Sequence, residues 1–227
     1  MPFRDLGERV REVRDRVAAA AARGGHGQAV TIVAVTKTHG PDAAQAAWGA
    51  GLRDVGENRV QEALSKMPLV EAPLRWHLIG HLQRNKVKAL NHFHLSHSID
   101  SSRLADAVQA HGASVGRKLD VLLQVNVSGE STKGGFSLDE VAREAERLVT
   151  LEAIRVRGAM TMAPFDADEP TLRRVFTDTR EARRRLAAAG HPATELSMGM
   201  SGDFEVAVEE GATLVRLGTV LFGARST

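Results

Sequence analysis

Lys37 ends an apolar, β-branched run, Val30-Thr31-Ile32-Val33-Ala34-Val35-Thr36, with no other ionisable side chain beside it. Such a run reads as a strand buried on both faces, the kind found in parallel sheets. Proteins of the α/β class place their chemistry at the carboxyl ends of such strands. An amine held there, partly desolvated, loses some preference for its charged form. It can then attack a carbonyl and form a Schiff base. Taken alone, Lys37 also reads as a lysine that ends a strand and points to water.

Two glycine-bearing stretches further on offer a second chemistry. Met198-Gly199-Met200-Ser201-Gly202-Asp203 and Arg216-Leu217-Gly218-Thr219 each lead from an apolar run into a helix. Helix starts expose unpaired N–H groups and a positive dipole end, which suits phosphate. Ser201 and Thr219 add hydroxyl donors, or serve as plain N-caps. A Schiff-base lysine with a phosphate cradle fits two classes. One is a pyridoxal phosphate (PLP) protein. The other is an aldolase acting on a phosphorylated sugar. Other polar residues fall at strand ends as well: Glu57 and Asn58 after the second, Asn126 after the fifth. His77 lies within the third, with His81 just beyond it.

The elements that must position these residues alternate. An amphipathic helix is predicted over 3–22, with Leu6, Val10, Val13 and Val17 on one face and Gly24-Gly25 as its stop. Strands follow at 30–37, 54–57, 76–80, 97–100, 120–127, 156–160, 195–198 and 213–217. Between them helices are predicted over about 41–50, from Asn58 as cap, from Asn85 to Leu90, from Ser102 to His111, from Ser137, and from Pro170 to Ala189. Shorter helices follow Ser201 and Gly218. Ser137 with Glu140 three residues on has the capping-box pattern. Eight strand–helix units after one extra helix point to a (β/α)8 TIM barrel in the α/β class, a single domain over 1–227. A doubly wound open sheet is the alternative.

Composition narrows the functions. The chain has 227 residues, 43% hydrophobic and 26% charged, with a formal net charge of +2. Basic and acidic residues interleave, as in Arg9-Val10-Arg11-Glu12-Val13-Arg14-Asp15-Arg16, which is a solvated helix face and not a nucleic-acid patch. With no cysteine there is neither a disulfide nor a thiol nucleophile. No apolar run is long enough to span a membrane, and the N-terminus reads as cytoplasmic rather than as a transit peptide. His92, His94 and His97 raise a metal reading, but no acidic or cysteine partner stands beside them, and they read as ordinary surface or core histidines.

Several longer motifs follow one pattern in order along essentially the whole chain. They are Ala34-Val35-Thr36-Lys37-Thr38, Gly56-Glu57-Asn58-Arg59-Val60-Gln61-Glu62 and the run from His77 to Lys86. Val125-Asn126 through Glu130, Lys133-Gly134, Ser197 to Asp203, Arg216-Leu217-Gly218 and Phe222-Gly223 continue it. In these the chain resembles the YggS/PROSC family, the PLP homeostasis proteins. The resemblance implies a barrel like the N-terminal domain of alanine racemase, with PLP as a Schiff base on Lys37. It implies a phosphate site around Ser201, Gly202, Gly218 and Thr219. Arg216 would face the pyridine nitrogen, and Asn58, His77 and Met198 would line the ring. It further implies a monomer that holds PLP and buffers its supply, with PLP-dependent apo-enzymes as recipients and no robust catalysis. The chain departs from the family at Arg59, where tyrosine is frequent, and at Thr38-His39-Gly40.

A racemase-like PLP enzyme is the alternative. Arginine keeps its proton and has no acceptor, so opposite the ring nitrogen it would leave that nitrogen unprotonated and the ring a weaker electron sink. Racemases of this fold pair the lysine with a tyrosine from the partner subunit. This sequence has no tyrosine and is expected to end with the barrel. Both features favour holding the cofactor over turning it over.

Overall fold

The computed structural model describes residues 3–127 and 134–223. Its centre is a closed barrel of eight parallel strands in sequence order. These are β1 (Thr31–Val35), β2 (Asp54–Glu57), β3 (Arg75–Leu78), β4 (Leu95–Ile99), β5 (Leu119–Gln124), β6 (Ile154–Met160), β7 (Glu195–Ser197) and β8 (Leu214–Leu217). Closure removes the exposed edges of an open sheet, so every strand finds two neighbours. β8 returns to β1 with Arg216 beside Val33 and Leu217 beside Ala34. That register brings the chain leaving β8 next to the chain leading to Lys37.

Alternation along the strands divides the core in two. Val33, Leu95, Leu122, Met160 and Leu214 form a small cluster within the barrel. The larger cluster, with Ala34, Val55, Leu78, Leu123, Leu196 and Leu217, joins the barrel's outer face to the helices. Gly158 in β6 lies so close to β7 that a Cβ there would sit 1.9 Å from the carbonyl oxygen of Glu195.

The helices are α1 (Leu6–Gly24), α2 (Pro41–Gly49), α3 (Val60–Lys66), α4 (Ser102–Ser114), α5 (Leu138–Leu148), α6 (Glu169–Ala188), α7 (Phe204–Glu209) and α8 (Thr219–Phe222). Helix α1 buries the expected stripe, and Gly25 ends it in the left-handed region at φ 68°. It is tied to α7 by Arg16–Glu205 and Arg23–Glu209 pairs at 2.8 and 2.6 Å. The capping box at Ser137 and Glu140 forms as its pattern predicts.

The helix expected from Asn85 to Leu90 is present, wound as a 3-10 helix over Arg84–His92. Its buried residues, Val87 and Leu90, are three apart, and a three-residue turn keeps both on one side. Asn58 does not cap α3; Arg59 holds the N-cap position in extended conformation. The buried face of α3 is Val60, Ala63 and Lys66, while Leu64 lies 37% exposed. Among the described residues no helix is long and apolar enough to cross a membrane.

Candidate functional site

The turn bearing Lys37 is held from below by a buried ionic clamp. Thr36 is fully buried, and its Oγ1 donates to Glu57 Oε1 at 2.6 Å. The ammonium of Lys66 donates to the Thr36 carbonyl (2.9 Å), to Glu57 Oε1 (2.9 Å) and to Glu62 Oε1 (2.6 Å). Glu62 Oε1 also accepts the backbone N–H of Thr38 at 2.5 Å. Thr38 has φ 68°, a left-handed conformation that costs a β-branched residue energy and persists where its surroundings impose it. Burial pushes the Glu57 carboxyl up, against the pull of Thr36 and Lys66. Burial acts on Glu62 too, but Lys66 and the Thr38 N–H outweigh it and hold that carboxyl below its ordinary range. Sequence reasoning missed Lys66 and Glu62. The available signal was a Glu–Lys pair four apart on a helix that follows a strand-end glutamate.

Arg216, in β8, carries its guanidinium inside the barrel and is 5% exposed. Nη1 donates to the Ser197 carbonyl (2.8 Å) and to Ser197 Oγ (2.5 Å), and Nη2 to the Thr161 carbonyl (2.8 Å). Burial lowers its pKa to about 10, with the Asp203 charge opposing. It therefore stays charged at neutral pH. The bonds to β6 and β7 fix the plane of the fork and leave it N–H groups to spend on a ligand.

The two glycine loops lie side by side. Ser201 Oγ accepts the backbone N–H of Val220 at 3.3 Å, which links the loop after β7 to the first turn of α8. The Gly199 carbonyl accepts the N–H of Arg216 at 3.0 Å, and Gly199 itself has φ 93°. Asp203 Oδ1 accepts the Met200 N–H at 2.5 Å, and burial raises the Asp203 carboxyl. Gly202 and Thr219 are exposed at the rim, and Ser201 and Gly218 are half-buried. A Cβ on Gly202 would meet nothing within 4 Å, so its face is open. A Cβ on Gly218 would lie 3.5 Å from the Cβ of Val35, on the strand that leads to Lys37.

Not every expected residue gathers at the mouth. Lys37 is half-buried in the turn after β1, and Asn58 is half-buried between β2 and α3. Asn58 lines a cleft of about 410 Å³ with Arg59, Gly80, His81, Gln83 and Lys86. His77 lies in β3. It is buried inside the barrel, with Nε2 2.9 Å from Asp54 Oδ1 and Nδ1 2.9 Å from His97 Nε2, so both nitrogens are committed below the mouth. Met198 lies just past the end of β7. It follows the inward-facing Ser197, so alternation turns it outward, and it is fully buried in the layer between barrel and helices. Met200, two residues on, is 37% exposed. His39 packs its ring against Phe3 and Phe222, centroids 5.7 and 5.3 Å away. Lys133 lies outside the described residues. A second hollow, at the opposite end of the barrel, is lined by Arg14, Gly51, Arg53, Asp54 and Arg75.

The chain is similar to known proteins over nearly its whole length. The family model for the alanine racemase N-terminal domain matches residues 10–226. A pyridoxal phosphate homeostasis protein of Aquifex aeolicus (strain VF5) is 42% identical over 96% of this chain and 97% of that protein. Its counterpart in Pseudomonas aeruginosa PAO1 is 41% identical over 97% and 96%. Among solved structures, PipY of Synechococcus elongatus PCC7942, with PLP bound, superposes with a TM-score of 0.85 at 35% identity, covering 96% of this chain and all of that one.

Proposed function

The chain belongs to the pyridoxal phosphate homeostasis family, built on the alanine racemase N-terminal fold, and from that premise we propose that it binds PLP at the mouth of its barrel and maintains the cofactor's supply, with Lys37 as the covalent anchor. One observation carries this reading. The register of β8 on β1 sets Leu217 beside Ala34, so a primary amine, a buried guanidinium and two glycine loops share one end of one barrel.

The residues present fit the cofactor. Bound PLP supplies an aldehyde that condenses with a primary amine, a ring nitrogen that accepts a hydrogen bond, and a phosphate dianion. Lys37 offers the amine from a turn whose backbone is clamped by Lys66 and Glu62. Ser201, Gly202, Gly218 and Thr219 offer hydroxyl and backbone donors for the phosphate, with an open face at Gly202. Arg216 offers a permanent donor that cannot take the ring nitrogen's place as an acid. Asn58 is at the rim, where it can bond a ring substituent. With the charge of Arg216 fixed and tyrosine absent from the sequence, these groups bind and orient better than they move protons. We read the protein further as a cytoplasmic monomer that passes PLP to PLP-dependent apo-enzymes.

The test is reduction with borohydride after loading with PLP, followed by peptide mapping. Label on Lys37, lost in Lys37→Ala, is expected; label elsewhere overturns the anchor. Incubation of the loaded protein with L- and D-amino acids in heavy water separates holding from turnover. Deuterium at the α-carbon no faster than with free PLP is expected, and fast Lys37-dependent exchange would make the protein an enzyme.

A further inference from the structure

Beneath Arg216 a single chain of hydrogen bonds crosses the inside of the barrel. Ser197 Oγ is 2.8 Å from His97 Nδ1, His97 Nε2 is 2.9 Å from His77 Nδ1, and His77 Nε2 is 2.9 Å from Asp54 Oδ1. Asp54, at the start of β2, is held in turn by both oxygens on Arg75, at 2.7 and 2.6 Å. The chain links β8, β7, β4, β3 and β2 and runs from the mouth to the floor. All of its members except Arg75 are buried.

Its direction follows from chemistry. An ionised carboxylate only accepts, so His77 donates from Nε2. With both imidazoles neutral, each has one donor, and Nδ1 of His77 then accepts from Nε2 of His97. By the same rule Nδ1 of His97 accepts, and Ser197 must donate its hydroxyl proton there. The oxygen of Ser197 is then turned to receive Nη1 of Arg216. Every donor points toward Asp54, and bonds aligned this way strengthen one another.

We propose that Asp54, His77, His97 and Ser197 are positioning residues that hold the guanidinium of Arg216 in one orientation toward the ring nitrogen of bound PLP. This rests on the PLP reading above. A packing role alone does not call for such a chain. Beside it Val33, Leu95, Leu122, Met160 and Leu214 form an apolar cluster, and apolar residues avoid the desolvation cost of buried polar groups. The chain also ends on the buried guanidinium of Arg216 at the mouth, where it fixes which lone pair of Ser197 the arginine meets.

The test has two arms. In the first, the cofactor-free wild-type protein, labelled with ¹⁵N-histidine, is observed by NMR at neutral pH. His77 and His97 are expected with the proton on Nε2 and a bare Nδ1. A proton on Nδ1 of His97, or an imidazolium there, overturns the chain's direction. In the second, PLP affinity and the pH midpoint of the bound PLP band are measured for wild type, Ser197→Ala, Ser197→Thr and Asp54→Asn, each checked for folding by thermal melting. Loss of a hydrogen bond to a charged group predicts about tenfold weaker binding in Ser197→Ala, recovered in Ser197→Thr. A moved midpoint is expected in Asp54→Asn, whose change lies at the far end of the barrel. Wild-type affinity and midpoint in folded Ser197→Ala and Asp54→Asn overturn the proposal. Failure of the wild type itself to bind PLP sinks the reading it rests on, while the first arm still decides the direction of the chain.

Discussion

The ammonium of Lys66 donates to the backbone carbonyl of Thr36 at 2.9 Å, one residue before Lys37. A buried lysine on α3 thus holds the peptide that leads into Lys37. The side chain of Lys66 is 7% exposed and that of its partner Glu57 is fully buried. Removing one member of a buried pair leaves the other charge unsatisfied. Lys66→Ala is expected to cost about 3 kcal/mol, read as a lower urea midpoint, and to weaken PLP binding as the Lys37 turn loosens. Unchanged stability would mean that water or a neighbour replaces the ammonium.

Acid should destabilise the fold through histidines whose charged form burial disfavours. Burial holds His97 well below its ordinary range, with the charge of Arg216 adding to the effect. Burial lowers His94 and His191 likewise. Below about pH 6.5 the unfolded chain binds protons that the folded chain refuses, so stability falls as pH drops from there. Each such proton contributes a slope of up to about 1.4 kcal/mol per pH unit. Burial alone would raise Asp54, but His77 and Arg75 outweigh it and bring it down to about 2. Its contribution is present above its ordinary pKa and is lost as pH falls toward 2. Urea unfolding at pH 7.5 and 5.5 measures the upper part, and His97→Gln should flatten it.

Gly80 supports Asn58 by having no side chain. A Cβ there would sit 2.3 Å from the Asn58 carbonyl oxygen and 2.7 Å from its Cα. Both contacts are backbone and cannot swing away. Gly80→Ala is expected to lower stability by about 2 kcal/mol and to weaken PLP binding, because Asn58 must move. Full affinity with lowered stability would remove Asn58 from the site.

A control is the exposed capping box that opens α5. Ser137 accepts the Glu140 N–H at 3.3 Å and donates its own N–H to the Glu140 carboxylate at 2.8 Å. Ser137→Ala should cost about 1 kcal/mol in thermal melting and leave PLP affinity unchanged.

Much of this architecture is a local property of the chain. The strands are legible because parallel strands bury both faces and so appear as short apolar runs, as at 31–35 and 119–124. Lys37 and the loops at Ser201–Gly202 and Gly218–Thr219 are legible because they interrupt those runs at the carboxyl ends, the end at which a barrel gathers its loops. The long motifs identify the family without any coordinates. What the sequence could not supply is which way side chains turn and what they meet. Strand alternation turns Met198 into the helix layer, and two long-range hydrogen bonds hold His77 inside the barrel. Lys66 gives no sign of burial on its own helix; Glu57, nine residues earlier, makes it a buried partner. His97 finds Ser197 across one hundred residues, a pairing that exists only when eight strands close. Local pattern determines which strands and helices form, because propensity and burial act over a few residues. Barrel closure decides the polar chain beneath Arg216, because its hydrogen bonds join residues that have no proximity until the fold is complete.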